Sequence, residues 1–219
     1  FSAKYPDVDV RVINGNHECM TDPVWRARAI EEMNYVLTVG DALYSRTQQA
    51  NAVRMLKEIR DVDARKALGF AHFLQDSGAV IEGLRFYGSP YSLEFFNWGY
   101  MVKPEESAAK GAEIPVAADV LIIHGPPKWH GDRCPDYRDR SKNVFVGDEE
   151  LLKRIRVVKP KLVICGHIHE SAGVYVDEDS GTVIVNASVL TGDYKPYGMF
   201  HRAVLDGDTV TVTPVAVAS

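Results

Sequence analysis

Four histidines and one asparagine follow three short apolar stretches, in positions where metal ligands are often found. They are Asn16 and His17 after residues 10–13, His124 after residues 120–123, and His167 and His169 after residues 162–165. Side chains beyond the carboxyl ends of strands in α/β sheets meet in one crevice. Imidazole nitrogen and amide oxygen suit manganese, iron and zinc. The pattern therefore predicts a metal site.

Each of these signals also has a structural interpretation. A single histidine at a strand end is more often hydrogen-bonded structure than a metal ligand, and Gly-Asn-His alone is typical of a turn. The combination of three such strand ends favours the metal site. His72 and His201 are interpreted as packing or surface residues.

Composition restricts the class of protein. The 219 residues are 46% hydrophobic and 25% charged, which is ordinary for a globular protein. A net charge of −5 argues against a nucleic-acid-binding surface, and no apolar run is long enough to cross a membrane. The three cysteines are odd in number and widely spaced, which favours a reducing compartment; they are Cys19, Cys134 and Cys165. We therefore expect a cytoplasmic location.

The elements that would position these residues alternate early in the chain between strands and helices. Asp22 and Pro23 predict a helix start, and residues 52–59 and 65–75 carry further helical patterns. Asp148 predicts another helix start. Residues 80–87 read as strand interrupted by a glycine, and two late hairpins turn at residues 177–181 and 206–208. We expect one α/β domain, 1–219, with a mixed sheet and helices on its outer faces.

The ordered motifs resemble the calcineurin-like metallophosphoesterases, and two further segments resemble the branch called metallophosphoesterase-domain-containing proteins. The shared motifs are Gly15-Asn16-His17-Glu18, His124-Gly125-Pro126-Pro127, Gly166-His167-Ile168-His169-Glu170, Tyr87-Gly88-Ser89-Pro90-Tyr91 and Asn186-Ala187-Ser188. The resemblance implies two mixed β-sheets packed as a sandwich with flanking helices.

The resemblance also implies roles for the site residues. It implies two divalent metal ions (manganese, iron or zinc), one held by Asn16, His124 and His167 and the other by His169. His17 would lie beside the phosphate as the catalytic residue, with Glu18 as its orienting partner. The implied reaction is hydrolysis of a small phosphodiester or phosphomonoester by metal-bound hydroxide, with cyclic nucleotides as one suggested substrate class.

The chain departs from this family in its acidic ligands. The family normally has Asp-x-His and Gly-Asp-x-x-Asp before the Gly-Asn-His segment, and neither is here; Gly40-Asp41 lies after Asn16 and lacks the second aspartate. The chain begins at Phe1 without methionine, which predicts an N-terminally truncated domain lacking the first strands. Every retained ligand is neutral, so we expect weak binding of one ion, or none. Two alternatives are a nucleotide- or phosphate-binding relative that has lost turnover and a scaffold with structural histidines.

Four residues are candidates for contact with the substrate. His130 and Arg133 lie in a loop, residues 128–143, that mixes basic and acidic side chains. A solvated, self-paired loop is the favoured interpretation, and a lid that holds phosphate is the alternative. Ser89 and Tyr91 are weaker candidates for the wall of the pocket.

Overall fold

The structure is a computed structural model that describes residues 9–18, 21–61 and 71–216. Within these residues, the helices are α1 (Pro23–Val39), α2 (Arg46–Asp61), α3 (Pro104–Ala112) and α4 (Glu149–Val158). The strands are β1 (Arg11–Val12), β2 (His72–Phe73), β3 (Ser77–Ile81), β4 (Leu84–Ser89), β5 (Ser92–Leu93), β6 (Met101–Val102), β7 (Val120–Ile123), β8 (Arg133–Pro135), β9 (Asn143–Phe145), β10 (Leu162–Cys165), β11 (Gly173–Asp177), β12 (Thr182–Asn186), β13 (Met199–Asp206) and β14 (Thr209–Ala216).

A six-stranded mixed sheet forms the framework, in the order β11-β12-β10-β7-β4-β3. The four inner strands run parallel, and each edge strand pairs antiparallel with its neighbour. The carboxyl ends of β7 and β10 therefore lie side by side. The short strands β1 and β2 pair with each other in a separate parallel sheet. This is the α/β class that the sequence predicts.

The two faces of the sheet are covered differently. Alternate apolar residues of β7 and β10, such as Leu121 and Val163, pack against α4, while Val120 and Leu162 face the hairpin β13–β14. Both faces are buried, which is why these strands read as unbroken apolar runs. The second layer of the sandwich is a two-stranded antiparallel sheet.

Helix α4 begins and ends as its sequence indicates. The Asp148 carboxylate accepts hydrogen bonds from the backbone N–H groups of Glu150 and Leu151, which have no partner inside the helix. Lys159 closes the helix in the left-handed conformation, with φ of 52°. The helix buries an apolar stripe against the sheet, made of Leu151, Leu152, Ile155 and Val158.

Helix α1 is fastened at its start to the loop that carries Tyr100. One oxygen of the Asp22 carboxylate caps the helix through the Val24 N–H at 2.9 Å, and the other accepts from the Tyr100 N–H at 2.7 Å. Asp22 is buried, so both oxygens are satisfied by backbone donors. The same loop reaches the Asn16 turn, where the Gly99 N–H donates to the Asn16 carbonyl at 3.1 Å.

The helix predicted over residues 65–75 is wrong for the part that the structure describes. His72 and Phe73 form β2, which pairs with β1, so tertiary pairing overrides the local helical pattern. Residues 65–70 of that prediction, and Cys19, lie outside the described residues. Both predicted late hairpins are confirmed as β11–β12 and β13–β14. In the described parts of the chain, no helix combines the length and the apolar character that a membrane crossing requires.

Candidate metal centre

Three side chains from distant parts of the sequence converge at one end of the sheet. His124 follows β7 and His167 follows the adjacent parallel strand β10, with the Gly166 N–H donating to the His124 carbonyl at 3.0 Å. Asn16 follows β1 and is 2% exposed. The convergence predicted from the strand ends is present in the fold.

The donor atoms of these three side chains lie within hydrogen-bonding distance of one another. The Asn16 Oδ1 is 2.7 Å from His124 Nε2 and 3.1 Å from His167 Nδ1, and the two imidazole nitrogens are 3.1 Å apart. Two ligand atoms that each lie about 2.1 Å from one ion, with a right angle between their bonds to it, are roughly 3 Å apart. The donor triangle therefore fits a single divalent ion in donor type and in spacing. We call these three residues the triad.

Gly15 makes room for the His124 ring. A β-carbon at Gly15 would lie 2.5 Å from His124 Cε1, closer than side chains approach. The Glu18 carboxylate accepts a hydrogen bond from the Gly15 N–H and closes the turn that presents Asn16. Glu18 was predicted to orient His17, and that role stays a prediction; the hydrogen bond of its carboxylate in the structure is to the Gly15 backbone.

The backbone at His167 is strained. Its φ is 69°, a left-handed conformation that costs a non-glycine residue about 1–3 kcal/mol. Asn186 supports this loop, because its Nδ2 group donates to the Ile168 carbonyl and to the Gly131 carbonyl, each at 2.8 Å. Strain of this kind is concentrated at functional sites, and the buried amide holds the strained loop in place.

Burial keeps both triad histidines neutral. Burial lowers the pKa of His124 to about 3, and the nearby imidazoles of His167, His17 and His169 add to the shift. Burial also lowers the pKa of His167 to about 4, with His169 and His17 contributing. A neutral imidazole has the lone pair that a metal ligand needs. At neutral pH both imidazoles of the triad are therefore uncharged.

His169 lines the same pocket but is bonded elsewhere. Its Nδ1 lies 3.1 Å from the Thr191 carbonyl oxygen, which can only accept, so Nδ1 carries the proton. Nε2 then has the lone pair, the arrangement typical of a metal-binding histidine that is held by a carbonyl. In the described ranges, His, Cys, Asp and Glu side chains nowhere form a group of three or more that could hold a metal ion. Asn16 is what completes the triad.

The pocket around the triad has a volume of about 200 Å³ and an aromatic rim. We call it the imidazole pocket. His17 is exposed at its mouth, with its ring 5.1 Å from the Trp98 ring. Phe95 lies 5.8 Å from Trp98, and the Tyr194 ring lies 5.3 Å from the His169 ring, edge to face. These aromatic residues were not predicted; the run Phe95-Phe96-Asn97-Trp98 is an unusual aromatic segment in a loop and was the available signal.

Two of the predicted substrate residues line a different cavity. Ser89 and Tyr91 border a neighbouring cavity of about 260 Å³, on the far side of His167. The Ser89 hydroxyl donates to the Asp76 carboxylate at 2.8 Å, and the Tyr91 ring lies under the Lys110 ammonium group at 4.2 Å. The structure does not bring either residue to the imidazole pocket.

The other two predicted substrate residues also lie outside the imidazole pocket. The His130 Nδ1 donates to the Lys128 carbonyl at 2.9 Å, and its Nε2 lies 3.8 Å from the Asp177 carboxylate. Arg133 is exposed on β8. The loop pairs within itself, as in the Asp139–Lys142 ion pair at 3.0 Å. This ion pair agrees with the self-paired interpretation of the loop, and the phosphate-binding lid stays the alternative.

Comparison with known proteins gives relatives that agree with the motifs. Metallophosphoesterase domain-containing protein 1 of Homo sapiens, and the protein of the same name in Mus musculus, are each 35% identical to this chain over 187 residues. The match covers 84% of this chain and 51% of each relative. By sequence, this chain belongs with the metallophosphoesterase domain-containing proteins. The predicted resemblance is confirmed, and the chain spans about half the length of these relatives.

More distant comparisons agree with this family. The UPF0046 protein T07D4.2 of Caenorhabditis elegans is 29% identical over 168 residues, covering 76% of this chain and 39% of the relative. No protein-family model matches the chain. One solved crystal structure is 15% identical, with a TM-score of 0.52, and covers 99% of this chain and 91% of its own. At that identity the structural likeness supports the fold alone.

Proposed function

We propose that this metallophosphoesterase-domain chain hydrolyses small phosphoesters with a divalent ion held by Asn16, His124 and His167. The observation that carries the proposal is the convergence of three neutral donor atoms, each within 3.1 Å of the other two. When bound, the ion would supply Lewis acidity toward a phosphoryl oxygen and lower the pKa of water. Manganese is the first ion to test, because it accepts both nitrogen and oxygen donors.

The donor set of the triad supports one bound ion. The triad is uncharged at neutral pH, so it does little to offset the charge of a cation. A second ion beside His169 would add repulsion without a carboxylate between the two cations. We therefore propose weak binding at the triad, with His169 as the residue nearest to a second position.

We propose that His17 acts on the departing oxygen. It is exposed at the mouth of the imidazole pocket, while the triad lies deeper. Imidazole is the side chain that gives and takes protons most readily near neutral pH. The Trp98 ring, 5.1 Å away, limits the directions that His17 can take. We assign to His17 the protonation of the leaving group.

The aromatic rim supports a substrate that carries a planar group. Phe95 and Tyr194 are 39% and 61% exposed, so they present ring faces and edges to solvent at the mouth of the imidazole pocket. Aromatic pairs stabilise a complex by about 0.5–1.5 kcal/mol beyond the area that they bury. We propose phosphodiesters with an aromatic group, with cyclic nucleotides among them.

Hydrolysis of bis(4-nitrophenyl) phosphate with added manganese tests the proposed activity. His124→Ala removes a triad ligand and His17→Ala removes the proton donor, so both should lower kcat/KM by at least about tenfold, or about 1.4 kcal/mol. His72→Ala changes an exposed histidine on β2 and is the matched control. Equal rates in wild type and in all three variants would end the proposal.

Two tryptophan variants, one in the aromatic rim and one outside it, test whether the rim binds the substrate. Trp98 borders the imidazole pocket, whereas Trp129 is 56% exposed and packs on Phe145, outside that pocket. Trp98→Ala should raise KM for an aryl phosphodiester several-fold while Trp129→Ala leaves it unchanged. A similar KM for both variants would contradict the stacking role.

Phosphate or nucleotide binding without turnover is the second candidate function. It is favoured by the donor set, since no cluster of acidic side chains that could hold a metal occurs among the described residues. Calorimetric titration with 5′-AMP and manganese distinguishes the two. Binding that His124→Ala abolishes, with no hydrolysis of any ester, would support the binding protein over the enzyme.

A further inference from the structure

An apolar cavity of about 260 Å³ lies beside the imidazole pocket and is separate from it. Its walls include Ile114, Ile123 and Leu151, which belong to the core between the sheet and the helices α3 and α4. Val146, 39% exposed, contributes to the wall on the solvent side. We call it the apolar cavity.

Two of the charged groups in the wall, Lys110 and Asp148, already have partners, and the third, Glu94, is exposed to solvent. The Lys110 ammonium group donates to Asp76 at 2.8 Å and to Glu113 at 2.9 Å. The Asp148 carboxylate caps α4 and also accepts from the Ser107 hydroxyl. An anion would lose its hydration without gaining a free counter-charge, and a cation would meet only the exposed Glu94 carboxylate, whose attraction is weakened by solvent. The wall therefore selects against ions and in favour of neutral molecules.

The size of the apolar cavity sets the size of the molecule that it accepts. An engineered apolar cavity of about 150 Å³ stays dry and binds benzene. The apolar cavity here is larger, at about 260 Å³, and its wall is mostly hydrocarbon. A ring system seated there would bury apolar surface at about 25 cal/mol per Å². One or two rings fit this volume.

We propose that the apolar cavity is a binding site for a neutral, apolar molecule of one or two rings, independent of the phosphoester site. Phe95, His167 and Ile168 border both the apolar cavity and the imidazole pocket, so the bound molecule lies next to a triad residue. Cys134 also lines the apolar cavity, and its free thiol reports on access to this wall.

Fluorescence titration with N-phenyl-1-naphthylamine tests the site, because this neutral probe becomes bright in apolar surroundings. Val146→Trp places a large side chain at the wall of the apolar cavity and should raise the Kd of the probe at least about tenfold, or 1.4 kcal/mol. Val157→Trp makes the same change at a position that is 65% exposed on α4 and should keep the wild-type Kd. Leu151→Phe fills the apolar cavity from its core side, and it keeps the test decisive if Val146→Trp does not fold.

Two additional measurements locate the bound probe. Inorganic phosphate with manganese should not displace it, since these occupy the imidazole pocket. Bound probe should slow alkylation of Cys134 by N-ethylmaleimide, followed on the Cys134 peptide by mass spectrometry. Three outcomes would each overturn the proposal. They are no binding of the probe to wild type, equal Kd values in the three tryptophan and phenylalanine variants, and displacement of the probe by phosphate with manganese.

Discussion

Acidification should destabilise the metal-free protein through its two partly buried triad histidines. In the folded state the pKa values of His124 and His167 are about 3 and about 4, against an ordinary value of 6.5. Both lie below the value expected in the unfolded chain, so protons bind the unfolded state preferentially. The contribution of these two histidines to the free energy of unfolding is fully present above about pH 6.5. It is lost as the pH drops toward 4 and then 3.

The magnitude follows from these pKa values. A pH of 5 is 1.5 pH units below the ordinary histidine pKa of 6.5. Each such unit corresponds to about 1.4 kcal/mol of free energy. Each histidine therefore lowers the free energy of unfolding by about 2 kcal/mol between pH 7.5 and pH 5, and the pair by about 4 kcal/mol. That is a large share of the 5–15 kcal/mol typical of a domain.

Urea unfolding in the presence of EDTA, followed by circular dichroism at pH 7.5 and pH 5, measures this loss. His124→Gln and His167→Gln replace an ionisable ring by a neutral amide, so each should remove about 2 kcal/mol of the pH dependence. His72→Gln changes an exposed histidine and should keep the full dependence. Identical pH dependence in wild type and in both triad variants would refute the reasoning.

Three further predictions concern the triad and its support. Gly15→Ala puts a β-carbon 2.5 Å from the His124 ring and should abolish manganese binding in calorimetry. Gly166→Ala is the control and should retain manganese binding, because its β-carbon meets only an ordinary contact at 3.6 Å. Asn16→Asp adds a charge to a neutral donor set and should tighten manganese binding at least about tenfold; unchanged affinity would argue against coordination by residue 16. Asn186→Ala leaves two buried carbonyls without their donor and should lower the free energy of unfolding by about 1–3 kcal/mol in urea titrations; a loss below 0.5 kcal/mol would contradict this.

The convergence of the strand-end residues could be predicted from sequence because its signals are local. Apolar runs that are buried on both faces read directly as inner parallel strands, as in β7 and β10. Residues that follow such strands must lie at the same edge of the sheet. His124 and His167 could therefore be placed together from their positions alone.

The neighbours of the triad could not be predicted in this way. Ser89 ends β4 and Tyr91 lies two residues beyond it, yet their side chains contact Asp76 and Lys110 and face the apolar cavity. The direction of a side chain in a loop depends on which groups pack against it, and these are more than ten residues away along the chain. The same reason explains why Trp98 and Tyr194, which do line the imidazole pocket, were not predicted.

The sequence by itself determined the candidate ligand residues, the strand ends that carry them and the family, because glycine turns and apolar runs act over a few residues. The tertiary structure alone decided three things: the closeness of Asn16 to the two histidines, the low pKa of those histidines, and the separation of the imidazole pocket from the apolar cavity. Distance, burial and shape are properties of packing between distant segments. No local pattern of residues encodes them.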